Sequence, residues 1–219
     1  MIVTIDGPAG AGKSSVAKKL AKELGYQFLD TGAMYRCVTL ACLERGIPLE
    51  ESDKVAEVAQ RIKIELFDDE VLLDGRNVTE EIRTPRITKA IKQVADNLRV
   101  RAAMVQSQRQ WIQGKNAVTE GRDQGTIAFP DAPCKIFLTA SPTERARRRV
   151  RQLLLAGIDA DFDEILRLQQ ERDKNDMERE TGGLRPAPNA LTVQTDGMDE
   201  AQVLQKLLEI VRARAQTSQ

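Results

Sequence analysis

Apolar residues recur along the chain in two alternating rhythms. Short runs at Ile2-Val3-Thr4-Ile5, 116–120, 135–139 and 190–194 have the length and β-branched content of strands, and a shorter apolar stretch covers 26–29. Between most of them apolar positions repeat every three or four residues, predicting helices over 13–25, 32–45, 51–60, 85–112, 142–156, 162–180 and 199–214. On the first of these Val16, Ala17, Leu20 and Leu24 share a face. Pro85 suits a first helical position, and Asn97 predicts a break inside 85–112. Such alternation predicts an α/β fold whose parallel sheet is covered on both faces. One segment departs from it. Residues 62–67, 70–74 and 76–78, with turn signals at Asp68-Asp69 and Asp74-Gly75, predict a small antiparallel meander. Gly182-Gly183, Pro186 and Pro188 predict a flexible loop before the last strand, and Gln216 to Gln219 a disordered tail.

The first strand-to-helix junction carries the most specific chemistry. Residues 7–14, Gly7-Pro8-Ala9-Gly10-Ala11-Gly12-Lys13-Ser14, form a complete GxxxxGK[ST] loop, with Ser15 following on the helix. Glycines before a helix N-terminus supply backbone N–H groups for phosphate oxygens. Lys13 can then reach the β and γ phosphates, and the Ser14 hydroxyl can ligate Mg²⁺. A plain glycine turn needs neither the lysine nor the hydroxyl at those offsets. The loop predicts binding of a nucleoside triphosphate.

Composition narrows the chemistry further. The 219 residues suffice for one large domain or a core with a small insertion. Hydrophobic residues at 41% and charged residues at 30% fit a soluble globular chain. Lys+Arg and Asp+Glu both total 33, so no net basic field draws nucleic acid or an anionic membrane. No apolar run approaches the roughly 18 residues of a membrane span, and a strand occupies the N-terminus, so a cytoplasmic location is expected. Histidine is absent, which excludes Ser-His-Asp and Cys-His nucleophiles and histidine-held metals. Cys37, Cys42 and Cys134 are too scattered for a zinc site or a disulfide framework. Lys, Arg, Asp and Mg²⁺ must run the reaction.

Arginines are the second signal. Arg145-Ala146-Arg147-Arg148-Arg149-Val150-Arg151 puts five guanidiniums in seven positions, more than local carboxylates can pair. That suits a polyanionic ligand, with a solvated helix face or an RNA-contacting patch as the alternatives. Arg172, Asp176 and Arg179 share one helix face, where an ordinary surface salt bridge competes with a ligand-facing role. Glu120-Gly121-Arg122-Asp123-Gln124-Gly125 follows a strand, either as a hairpin turn or as a ligand loop at the sheet's C-terminal edge. Asp30 or Thr31 can cap the next helix, which leaves Arg36 on an otherwise apolar face unexplained. A guanine-binding switch protein would need Asn-Lys-x-Asp, which is absent, and an RNA binder would need more than the 4% aromatic residues present.

In order, IDGPAGAGKS at 5–14, LDTGAMYR at 29–36, EIRT at 81–84, QVADNLRVR at 93–101, EGRDQGTIAFPDAPCKIFLTAS at 120–141, ERARRR at 144–149 and QERDKND at 170–176 resemble the bacterial cytidylate kinases, a branch of the nucleoside monophosphate kinases. The resemblance implies a P-loop kinase with a five-stranded parallel core, built from 1–34, 114–150 and 186–219. It also implies a monophosphate-binding region at 35–113 carrying the insert at 62–78, and a mobile lid at 151–185. The implied reaction moves the γ-phosphoryl of ATP to CMP or dCMP. By position, Arg36, Arg122 and Arg179 would hold the acceptor's phosphate, Thr31, Arg172 and Asp176 its sugar, and Arg101 and Asp123 its base. Lys13 and the arginines around 148–151, Arg148 among them, would serve the ATP phosphates and the group in transfer. Three positions are notable: Lys92 stands where relatives carry a base-contacting serine, Thr31 replaces a common serine, and Ser14 supplies a hydroxyl that some relatives lack. The nucleotides are the expected partners, with no nucleic acid or membrane and a monomer as the default.

Overall fold

The structure, a computed structural model, describes residues 1–67 and 69–217. In chain order the elements are β1 (Ile2–Asp6), α1 (Lys13–Leu24), β2 (Gln27–Asp30), α2 (Thr31–Glu44), α3 (Ser52–Arg61), β3 (Ile64–Leu66), β4 (Val71–Leu73), β5 (Arg76–Asn77), α4 (Pro85–Asp96), α5 (Leu98–Ile112), β6 (Ala117–Gly121), β7 (Cys134–Thr139), α6 (Pro142–Leu155), α7 (Phe162–Met177), β8 (Leu191–Gln194) and α8 (Glu200–Thr217). A 3-10 turn at Glu81–Arg83 precedes α4, and a π-helical turn at Gln124–Ala128 follows β6. The chain divides into two compact units, Met1–Phe28 with Lys115–Gln219, and Leu29–Gly114.

The first unit is built on a five-stranded sheet ordered β2-β6-β1-β7-β8, in which β1 pairs in parallel with both β6 and β7, and β7 with β8. Its central strands are apolar on both faces because both are covered. Val3, Ile5, Val118, Ile136 and Leu138 meet Val16 and Leu20 of α1 and Leu207 and Val211 of α8 in one core. Ser141 caps α6 by accepting the Glu144 N–H, ahead of Pro142 at the first turn, and Asp161 caps α7 through the Glu164 N–H.

The second unit packs α2 against α3 and α4, and α3 against α5. The Asn97 side chain accepts the N–H groups of Arg99 and Val100, so it ends α4 and caps α5 at the break that the sequence predicts. The meander forms a three-stranded antiparallel sheet, β3-β4-β5. Its second turn uses Asp74 and Gly75 at φ of 50° and 83°, the paired left-handed conformation that a tight hairpin requires. Of its first turn, Asp68 lies outside the described residues.

Two expectations are corrected at helix ends. The helix expected to reach residue 180 stops at Met177, because the chain doubles back and the Leu184 N–H donates to the Asp176 carbonyl at 2.8 Å. The turn is so tight that a Cβ on Gly183 would lie 2.9 Å from the Met177 carbonyl oxygen. At the other end, α8 runs past residue 214 and takes in Gln216, which the sequence placed in a disordered tail; Ser218 and Gln219 lie outside the described residues.

All three cysteines are buried, and burial pushes the Cys37 thiol up to about 12 and those of Cys42 and Cys134 up to about 11. Among the described residues no helix is long and apolar enough to cross a membrane.

Candidate active site

The phosphate loop joins β1 to α1. A Cβ on Gly7 would sit 1.9 Å from the Leu138 carbonyl oxygen, so only glycine lets the loop start this close to β7. Gly12, at φ 85°, stands at the N-cap of α1, whose first turn carries no acidic side chain. The free N–H groups of that turn and the positive end of the helix therefore face no competing carboxylate of their own.

Lys13 is buried and its Nζ donates to the Pro8 carbonyl at 2.8 Å. Burial, with Arg122 nearby, lowers its pKa to about 7, against the opposing pull of Glu120 and Asp6. The Ser14 hydroxyl donates to Glu120 Oε1 at 2.7 Å, and Ser15 Oγ donates to the Gly12 carbonyl at 3.1 Å. A hydroxyl that gives its proton to a carboxylate keeps its lone pairs for a cation. Among the described residues no three acidic, histidine or cysteine side chains could hold a metal ion. The Ser14 hydroxyl is thus chemically suited to a cation carried by phosphate oxygens.

Around Lys13 lies a second layer of charge. Asp176 accepts Arg122 Nε at 2.9 Å on one carboxylate oxygen and Arg179 Nη2 at 2.8 Å on the other. Burial alone would raise the Asp176 pKa; Arg122, Arg179 and Arg172 hold it below the usual carboxylate value. Asp176 thus grips arginines from the β6 loop and from just beyond α7, so Arg179 does not share the helix with Arg172 and Asp176 as the spacing predicts. Arg172 lies one turn earlier on α7, and its charge depresses both Asp176 and Lys13. Asp123 is buried, and its carbonyl accepts the Ile127 and Ala128 N–H groups of the π turn. Glu120 and Gly121 close the parallel strand β6, and Arg122-Asp123 lead from it into the π turn at Gln124–Ala128, not into a hairpin.

The arginine run separates by helical phase. Arg145 is buried, donating to the Ala140 and Ala9 carbonyls and to Asp173. Arg148 donates to Glu144 Oε1 at 3.1 Å and to the Thr195 hydroxyl and carbonyl. Arg149 bonds Gln152 at 2.7 Å. Arg147 and Arg151 instead border an apolar hollow of about 350 Å³ with Val150, Leu154, Leu155 and Phe162. Arg148 pairs with a carboxylate of its own helix, Glu144, whereas Arg145 reaches Asp173 on α7 and Arg149 an amide, in keeping with the expectation that local carboxylates do not suffice for the run.

The second unit holds the other candidates. Thr31 is the buried first residue of α2, and Asp30 is its cap, accepting the Ala33 N–H at 2.9 Å. Arg36 donates to the Ile82 carbonyl and to Thr88 Oγ1, both at 2.9 Å. Arg101 is buried, donates to the Ala95 carbonyl at 3.1 Å, and lies 6.0 Å from the centre of the Tyr35 ring. Lys92 pairs with Asp96 at 2.8 Å on the exposed side of α4.

A family model described as cytidylate kinase matches residues 3–213. The chain belongs to the cytidylate kinase family. A cytidylate kinase from Rhodopirellula baltica is 50% identical over 218 residues, covering 100% of this chain and 95% of the relative. One from Caldanaerobacter subterraneus is 45% identical, covering 96% and 94%. A solved gluconokinase from Sinorhizobium meliloti, 17% identical with a TM-score of 0.50 over 99% of this chain and 94% of that one, shares the fold.

In this cytidylate kinase chain, the sequence pointed to no role for Asp6 or Asp173, and it singled out Glu120 and Arg145 only as members of the segment 120–125 and of the arginine run. Asp6 is buried, accepts the Gln124 and Gly125 N–H groups, and has a pKa raised to about 6 by burial against those bonds. The available signal was position: Asp6 and Glu120 are charges at the C-terminal ends of neighbouring parallel strands.

Proposed function

We infer that the chain transfers the γ-phosphoryl group of ATP to CMP or dCMP, giving ADP and the corresponding diphosphate. The observation that supports it most directly is Asp176 holding Arg122 and Arg179 beside Lys13, which sets donor-side and acceptor-side cations in one electrostatic cluster. Phosphoryl transfer through a loose, in-line transition state asks for positioned positive charge. The nucleophile is already a phosphate oxyanion, so a chain without histidine lacks nothing the reaction needs.

In this reading residues Gly7 to Ser15 cradle the ATP phosphates and Lys13 follows the group in transfer. Arg122, Arg179 and Arg36 hold the acceptor phosphate; Thr31, Arg172 and Asp176 contact the sugar; Arg101, Asp123 and Lys92 read the base. Arg148 serves the ATP side. Ser14 would help to hold Mg²⁺ on the ATP phosphates, where it would supply charge neutralisation. Glu120 fixes the Ser14 hydroxyl, and residues 151–185 act as the lid that excludes water.

The test is ADP formation from ATP and Mg²⁺ with CMP, dCMP, UMP, AMP, GMP or no acceptor. Turnover with CMP and dCMP well above the rest supports the reading. Equal rates with UMP replace it with a general pyrimidine monophosphate kinase, and silence with every acceptor overturns it.

A further inference from the structure

We propose that Asp6 is a positioning residue for acceptor recognition, holding the loop that carries Arg122 and Asp123 in register with the phosphate loop. The proposal rests on the CMP kinase reading above. Asp6 is the last residue of β1 and directly precedes Gly7. It is 2% exposed, and each of its carboxylate oxygens accepts one backbone N–H at 2.8 Å, from Gln124 and from Gly125. Those two N–H groups open the π turn immediately after Arg122-Asp123. Thr119 Oγ1 in β6 donates to Gln124 Oε1 at 2.8 Å, so the same residue is held by its backbone from β1 and by its side chain from β6.

The close approach is built into the sequence. A Cβ on Gly125 would lie 2.9 Å from Thr4 Oγ1 and 3.1 Å from Ala187 Cβ, so a side chain there would lift the turn away from Asp6. A buried carboxylate is costly unless its oxygens are satisfied, and two charge-assisted bonds to backbone N–H groups are the compensation here. What the carboxylate secures is the path of the chain at Arg122. Displacing a phosphate-gripping guanidinium by about 1 Å is enough to lose most of its contribution. The residue that starts the ATP-binding loop thereby also sets the acceptor-binding one.

Asp6→Asn keeps the shape, but its amide presents one oxygen and one NH₂ to two N–H donors. The expected result is a KM for CMP raised by about tenfold or more, with ATP affinity measured calorimetrically without CMP changed by less than about threefold. Thr119→Val loosens the same turn without touching Asp6 and guards against a poorly folded first variant. It should raise the CMP KM by about threefold, again sparing ATP. An unchanged CMP KM in both variants overturns the proposal, as does equal weakening of ATP and CMP. No turnover of CMP by the unaltered chain overturns the functional reading itself, and that is seen before any variant is made.

Discussion

The two units treat charge differently, although the second buries Arg101. In the first, Asp6, Lys13, Glu120, Asp123 and Asp176 are all buried. In the second, Lys92 is paired at the surface, and Arg36 is bonded to a carbonyl and a hydroxyl rather than to a carboxylate. A buried, mutually compensated cluster is expensive to disturb and sensitive to pH. Surface pairs are worth up to about 1 kcal/mol and are easily remade around a ligand. The contrast marks the first unit as the one whose charges are costly to rearrange.

The largest expected effects lie in the buried cluster. Lys13→Ala and Arg179→Ala should each lower turnover by about 10²-fold or more with the fold retained, although Arg179→Ala also costs stability because it leaves the Asp176 carboxylate one partner short. Near-normal turnover in either would remove that residue from the centre. Arg122→Ala should raise the KM for CMP by about tenfold and that for ATP by much less; equal losses would contradict its acceptor-side role.

Lys13 also makes the cluster readable by proton counting. With a pKa near 7 it is mostly neutral at pH 8, and a triphosphate laid against it should restore its charge. ATP binding at pH 8 is therefore expected to take up about one proton, read by calorimetry in two buffers of different ionisation enthalpy. Binding without uptake would mean that the lysine is charged from the start.

Stability gives a further handle. The folded pKa of Asp176 lies below the 3.8 of an unperturbed carboxyl. Its stabilisation is therefore fully present above the unfolded value and is lost as pH falls through the folded one. Asp176→Ala should destabilise the fold by about 3 kcal/mol at neutral pH and flatten the acid limb of the denaturation profile. An unchanged acid limb would reassign that dependence to other carboxylates. Smallest of all, Lys92→Ser in the second unit should shift the CMP-to-UMP preference by only about threefold, since an exposed ammonium gives up little on leaving Asp96. A tenfold shift would move acceptor selection from the buried residues to this surface.

The same contrast explains what the sequence made legible. Strands and helices announced themselves through apolar spacing, and Asn97 marked its break because an Asn cap has a local cause. The phosphate loop was legible because its glycines and lysine act over eight consecutive positions. Arg145 was not, since seven consecutive letters hide the 100° turn per residue that sends it inward and Arg147 outward. Asp6 and Glu120 hid for another reason: a charge near the end of an apolar run looks like the start of a turn, and only sheet register brings their two strand ends together. Nothing local called for the π turn at Gln124–Ala128, whose first N–H groups are held by a residue 118 positions away.

The buried thiols have a practical consequence. With all three cysteines enclosed and their thiolates strongly disfavoured, the native chain is nearly silent toward maleimide and iodoacetamide reagents. A pair of cysteines introduced on exposed positions, such as Lys174 on α7 and Lys22 on α1, could carry a fluorophore pair in the otherwise natural background. Nucleotide-driven movement of α7 could then be followed in real time without first stripping Cys37, Cys42 and Cys134 from the core they help to fill.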